Sequence, residues 1–175
     1  LFLGFNFASA QVITVTSNAD SGTGTLREAL QTAIANGPTN NDVIQFNLGA
    51  SIAERTIRLR TQLPIVGSNV VIDGSTQPGA PLGVSGAKVI IEPENSPANF
   101  SALVVGNYSV TGVQTVNVEI YGLYIRRFAQ ITNLTTVNMS QGSGIVLDYR
   151  MQNVIIGKPG KGNVLCGNVS GILMR

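Results

Sequence analysis

The side chains best suited to chemistry gather around position 121. Tyr121, Tyr124, Arg126 and Arg127 stand close together in a chain otherwise poor in charge. Tyrosine rings offer apolar faces to sugar C–H groups, and a guanidinium pairs with an acidic group. Such a patch would bind a polysaccharide or a cell-surface glycan without transforming it. The competing reading puts one tyrosine in the core and leaves the other as an ordinary exposed strand residue. Cleavage chemistry is harder to assemble. Glycoside hydrolysis needs carboxyl groups facing one another, and Asp and Glu together number nine. Asp20 and Asp73 sit in turns, where such a side chain bonds its own backbone. Glu119 and Asp148 fall on different strands, and Glu92 and Glu94 flank Pro93 as a pair expected to be solvated. A polysaccharide lyase needs a base beside a uronate carboxylate, usually with calcium. Arg126 or Arg127 could serve, yet no Asp cluster stands near them to hold calcium. Histidine is absent. No catalytic residue, metal ligand or cofactor is therefore expected.

The single cysteine, Cys166, excludes an internal disulfide. Its counterparts in neighbouring apolar runs are Val, Ile or Leu, which predicts a buried small hydrophobe and not a nucleophile. Hydrophobic residues make up 43% and charged residues 11% of 175, with 20 glycines and a net charge of +2. That profile suits a β-rich, turn-rich extracellular domain and gives no electrostatic case for nucleic acid. Residues 1–10 form an apolar run ending in Ala8-Ser9-Ala10. They read as the remnant of a secretory signal peptide, or else as a hydrophobic first strand. The run is too short to span a bilayer. Export by a signal peptide predicts a secreted or cell-surface location for the domain of residues 11–175.

These residues must be positioned by short strands. Gln11–Ser17 alternates apolar and polar residues. Thr25 and Glu28 form a capping box for a helix over about 25–36, with Leu26, Ala29, Leu30, Ala33 and Ile34 on its apolar face. Gly37 and Pro38 stop it. In Arg55–Leu63, Ile57 and Leu59 are expected inside and Arg58 and Arg60 outside. Further strands are expected near 42–48, 69–73, 88–92, 102–105, 116–120 and 123–125. The last third repeats one pattern four times: Ile145-Val146-Leu147, Val154-Ile155-Ile156, Val164-Leu165-Cys166 and Ile172-Leu173-Met174, each set off by Gly or Asn. The segments at 101–105, 143–147 and 170–174 resemble one another, with two further runs between consecutive copies. The expectation is an all-β chain: a right-handed parallel β-helix, a solenoid with three strands per coil, carrying one N-terminal capping α-helix. Two polar stretches, 107–115 and 130–141, read as insertions emerging on one face. The chain reaches Arg175 in mid-coil, which suggests a longer protein.

Three segments carry a family resemblance: Thr14–Leu30 with its Ser21-Gly22-Thr23-Gly24-Thr25-Leu26-Arg27 core, Asp42–Phe46, and Val71–Gly79. Together with the repeat in Asn153–Asn168, they resemble the N-terminal region of secreted bacterial right-handed parallel β-helix proteins of the pectin-lyase-like fold. The resemblance implies an exported structural, adhesive or carbohydrate-binding module, in some relatives delivered by the type IX secretion machinery. It implies, as the alternative, a polysaccharide lyase or glycoside hydrolase whose active site lies outside this segment or barely within it. Asn-x-Ser/Thr sequons occur at Asn99, Asn107, Asn133, Asn138 and Asn168; in a chain so rich in these residues they arise readily by chance.

Overall fold

The computed structural model describes residues 10–83, 85–96, 98–106, 114–129 and 141–175. The chain begins with β1 (Ala10–Val15), followed by α1 (Leu26–Asn36) and β2 (Asn41–Phe46). Most of the proposed leader (residues 1–10) and of the two insertions lies outside the described residues. Ala10 itself belongs to β1, which pairs in parallel with β2 from Ala10↔Asn41 to Val15↔Phe46.

The helix forms where the sequence places it. Thr25 Oγ1 accepts from Glu28 N at 3.2 Å, and Glu28 Oε2 accepts from Gly24 N at 2.6 Å. One orphan donor of the helix start and the N–H of the residue before the cap are thereby satisfied. Arg27 fixes the preceding loop: it donates to Asp20 Oδ1 at 2.7 Å and to the carbonyls of Thr61 and Gln62 at 3.0 and 2.7 Å. Leu26, Ala29, Leu30 and Ala33 are buried. Ile34, expected on the same face, is instead 54% exposed, beside Pro38 and Ile65 in an apolar groove.

The remaining strands are β3 (Thr56–Leu59), β4 (Val70–Asp73), β5 (Val89–Pro93), β6 (Leu103–Val105), β7 (Thr115–Tyr121), β8 (Leu123–Arg126), β9 (Ile145–Leu147), β10 (Met151–Ile156), β11 (Val164–Cys166) and β12 (Ile172–Met174). They form three separate sheets. The five-stranded sheet runs β1-β2-β4-β7-β10, the four-stranded one β11-β8-β5-β3, and the three-stranded one β12-β9-β6. Every pairing between these strands is parallel.

This arrangement overturns the expected fold class. The chain is not one all-β right-handed β-helix with three strands in every coil. It builds separate parallel sheets of five, four and three strands, and its first crossover, β1–α1–β2, is a helical connection of the α/β kind. The reason lies in the first third. Apolar runs predict strands wherever they occur, but Pro64 lacks a ladder N–H and interrupts Leu63–Val66. Only Val66 joins the three-stranded sheet there, as an isolated bridge to Val105.

All three sheets face one core. Ile44, Phe46, Ile72, Val118 and Ile120 enter it from the first sheet, Ile57, Leu59, Ile91, Leu123 and Ile125 from the second, and Leu103, Val105, Ile145 and Leu147 from the third. The helix adds its four buried residues to the same cluster. The similar segments noted in the sequence do stack: Leu103, Ile145 and Ile172 occupy one register position. Alternation along each strand then sends the remaining side chains outward. The candidate site residues lie there.

Candidate functional site

Tyr121 and Tyr124 part at one corner. Gly122, at φ 74°, separates β7 from β8. A Cβ on Gly122 would stand 2.2 Å from Ser75 N, and one on Gly74 would stand 2.4 Å from Gly122 O. Two corners thus pack backbone against backbone, and only glycine fits at either. Beyond the corner the chain enters a different sheet, so the patch read from sequence becomes two.

On the five-stranded sheet, Val118 and Ile120 point into the core, so Glu119 and Tyr121 point away from it. Asp73 is the register partner of Tyr121 and shares that side. Tyr121 is only 6% exposed, yet it is not a member of the hydrophobic core. Its cover is cationic: the Nζ atoms of Lys158 and Lys161 each lie 5.1 Å from the ring centre. Lys158 donates to Glu119 Oε2 at 2.5 Å and Lys161 to Asp73 Oδ2 at 2.9 Å. Ser75 donates to Asp73 Oδ1 through both N and Oγ, at 3.0 and 2.5 Å. Burial, and then the charges of Asp73 and Glu119, push the Tyr121 phenol up to about 12. It is therefore a neutral hydrogen-bonding group near pH 7 and not a base.

Beside this cluster runs a shallow trough of about 330 Å³ lined by Asn69, Val71, Asn117, Glu119, Asn153 and Ile155, among others. Its asparagines form a row from Asn69, just before β4, across Asn117 of β7 to Asn153 of β10. Asn153 Nδ2 donates to Asn117 Oδ1 at 3.1 Å, Asn117 Nδ2 to Asn69 Oδ1 at 2.8 Å, and Asn69 Nδ2 to the Pro38 carbonyl at 2.5 Å. All three have left-handed backbones, with φ of 59°, 56° and 57° along the chain. Asparagine enters that region more readily than most side chains. A signal for this row exists in the sequence: Asn-Val-x-Ile recurs at 69–72, 117–120 and 153–156.

On the four-stranded sheet the register sets Arg58 opposite Glu92. Glu92, expected to be a solvated loop residue, lies in β5 and is 1% exposed. It accepts from Arg58 Nε at 3.0 Å and from Arg126 Nε at 2.9 Å, and Arg127 Nη1 stands 3.8 Å away. Its neighbour Glu94 is more exposed and pairs with Arg60 at 2.7 Å. Alternation would send Arg127 inward after Arg126, but its φ of 68° swings it back toward Glu92. Tyr124, half-buried, carries the Arg126 guanidinium 5.4 Å from its ring centre.

Cys166 is also on this face, as the partner of Arg126. The expectation that it is buried is corrected: it is exposed, and its thiol donates to the Tyr124 hydroxyl at 3.4 Å. That contact is the first cause raising the Tyr124 phenol above its ordinary value. The apolar run gave no phase; it is Leu165 that packs against the core. Two other asparagines brace backbone. Asn163 accepts from Leu123 N at 3.0 Å and donates to the Ile120 carbonyl at 2.8 Å; Asn168 accepts from Phe128 N and donates to the Ile125 carbonyl, both at 3.1 Å. The sequon at Asn168 is thus occupied by a structural role.

Neither a protein-family model nor a curated protein sequence matches the chain. Among the described residues no helix is long and apolar enough to cross a membrane, and no three His, Cys, Asp or Glu side chains gather as a metal site. Two faces of different chemistry remain: an amide-lined trough beside a lysine-covered tyrosine, and arginines grouped around a buried carboxylate.

Proposed function

We propose that this chain is an adhesive, glycan-binding module of an exported or cell-surface protein handled by bacterial secretion machinery. The observation that carries this reading is the row Asn69-Asn117-Asn153 along the trough. Each primary amide has two N–H donors and acceptor capacity on its oxygen. The row uses part of that capacity and leaves the rest for hydroxyl groups. Strand spacing repeats the amides at about 4.8 Å. Val71 and Ile155, on the same trough, offer apolar surface to sugar C–H faces.

Cleavage by a lyase or hydrolase is the second reading, and one observation favours it: Asp73 and Glu119 project from neighbouring strands on the same side. Each is already held by a lysine, so binding is placed first. A glycan array, followed by a reducing-end and unsaturated-product assay on the bound polysaccharides, tests both. The expected result is binding without turnover, weakened at least tenfold by Asn117→Gly with Asn153→Gly. Turnover abolished by Glu119→Gln would overturn the binding reading in favour of an enzyme.

A further inference from the structure

The outer face of the four-stranded sheet holds an electrostatic imbalance. The other ion pairs among the described residues are one to one: Arg27 with Asp20, Arg60 with Glu94, Lys158 with Glu119, Lys161 with Asp73 and Arg175 with Asp148. Around Glu92 stand Arg58, Arg126 and Arg127, three guanidiniums to one carboxylate. Glu92 is buried and cannot turn away, so it works as an anchor. It engages Arg58 and Arg126 through Nε. Their terminal nitrogens make no hydrogen bond to Glu92 and keep N–H donors for a second oxyanion. Arg58 and Arg127 remain 53% and 57% exposed at the side chain. A left-handed backbone at a non-glycine residue is uncommon, and at Arg127 it brings a third guanidinium to this side.

We infer that this cluster is a binding site for sulfate-ester groups of a polysaccharide. The inference rests on the glycan-binding reading above but concerns a separate face and a different ligand chemistry. Arg126 and Arg127 reach the same oxygen of Glu92, at 2.9 and 3.8 Å, so their guanidiniums are neighbours. A sulfate ester has three terminal oxygens and bridges two such forks, whereas a carboxylate matches one fork. Arg58 stands on β3 and Arg126 on β8, with β5 between them. Their backbones are two strand spacings, roughly 10 Å, apart, yet both side chains converge on the one Glu92 carboxylate and leave their outer ends to face solvent side by side. Tyr124, under the Arg126 guanidinium, adds an aromatic surface for the sugar between charges.

The test is titration calorimetry of the whole chain with dextran sulfate, polygalacturonate, unmodified dextran and single-stranded DNA, at fixed ionic strength. Dextran sulfate is expected to bind at least tenfold more tightly than each of the others. Arg58→Gln with Arg127→Gln is expected to weaken it at least tenfold, with circular dichroism checking the fold. Arg58→Lys, which keeps the charge and loses the fork, is expected to weaken it several-fold. Arg175→Gln removes the same charge just beyond β12, where Arg175 pairs with Asp148, and should change affinity less than twofold. Equal binding of polygalacturonate or DNA, or an unchanged affinity in the Arg58/Arg127 variant, would overturn the assignment. Neutral-glycan binding on the array would survive that failure, which separates this inference from the reading it rests on.

Discussion

The outward faces of the five- and four-stranded sheets meet at Gly122 and use charge in opposite ways. On the first, Glu119 and Asp73 each take one lysine, and those lysines roof Tyr121. On the second, a buried Glu92 organises several arginines, and a half-buried Tyr124 lies under one of them. The first face is electrically closed and polar through its amides. The second keeps surplus positive charge directed by a fixed anchor. Two tyrosines three positions apart therefore acquire unlike surroundings because one glycine corner assigns them to different sheets.

The largest way to break this contrast is at the corner. Gly122→Ala forces a side chain into a left-handed backbone and onto Ser75 N. A loss of roughly 3 kcal/mol in urea unfolding is expected, with both faces disturbed. Next are the carboxylates. Glu92→Gln removes the buried counter-charge of three arginines and should cost about 2 kcal/mol. Glu119→Gln, in a partly exposed pair, should cost less than about 1 kcal/mol by the same measurement. Equal losses would show that the two faces do not differ as described.

The asparagine row gives a smaller effect. Asn117→Ala loses the amide and strains the left-handed backbone, for about 1.5 kcal/mol. Asn117→Gly keeps the backbone and should lose about 0.5–1 kcal/mol. A separate test of the contrast lies in pH dependence. Tyr121 titrates near 12 in the fold against an ordinary 10.0, so the native state holds a proton that the unfolded chain releases first. The stability it contributes is complete below pH 10 and is lost as pH rises toward 12. Urea titrations across that interval should show a steeper decline for the native chain than for Tyr121→Phe. Identical slopes would mean that the lysine roof does not shield the phenol.

Much of the local structure was legible in the residues. The capping box at Thr25 and Glu28, the stop at Gly37, and the inward Ile57 and Leu59 beside outward Arg58 and Arg60 all follow from rules spanning a few positions. Those rules carry no information about sheet membership, and the fold-class expectation failed there. Counting apolar runs implied one uniform winding, whereas Pro64 and the α1 crossover leave the sheets unequal. Local patterning also failed for Glu92, Cys166 and Ile34, whose burial depends on register with strands or loops far along the chain.

The sequence by itself determined the strands, the helix, its ends and the recurrence of Asn-Val-x-Ile, because periodicity, capping and turn chemistry act over short separations. Only the tertiary structure decided that Glu92 gathers Arg58, Arg126 and Arg127, that lysines some 40 residues later cover Tyr121, and that the asparagines touch. Those contacts join residues more than 30 positions apart. Parallel pairing brings them together through long crossovers, and one residue of register exchanges the inward and outward sets.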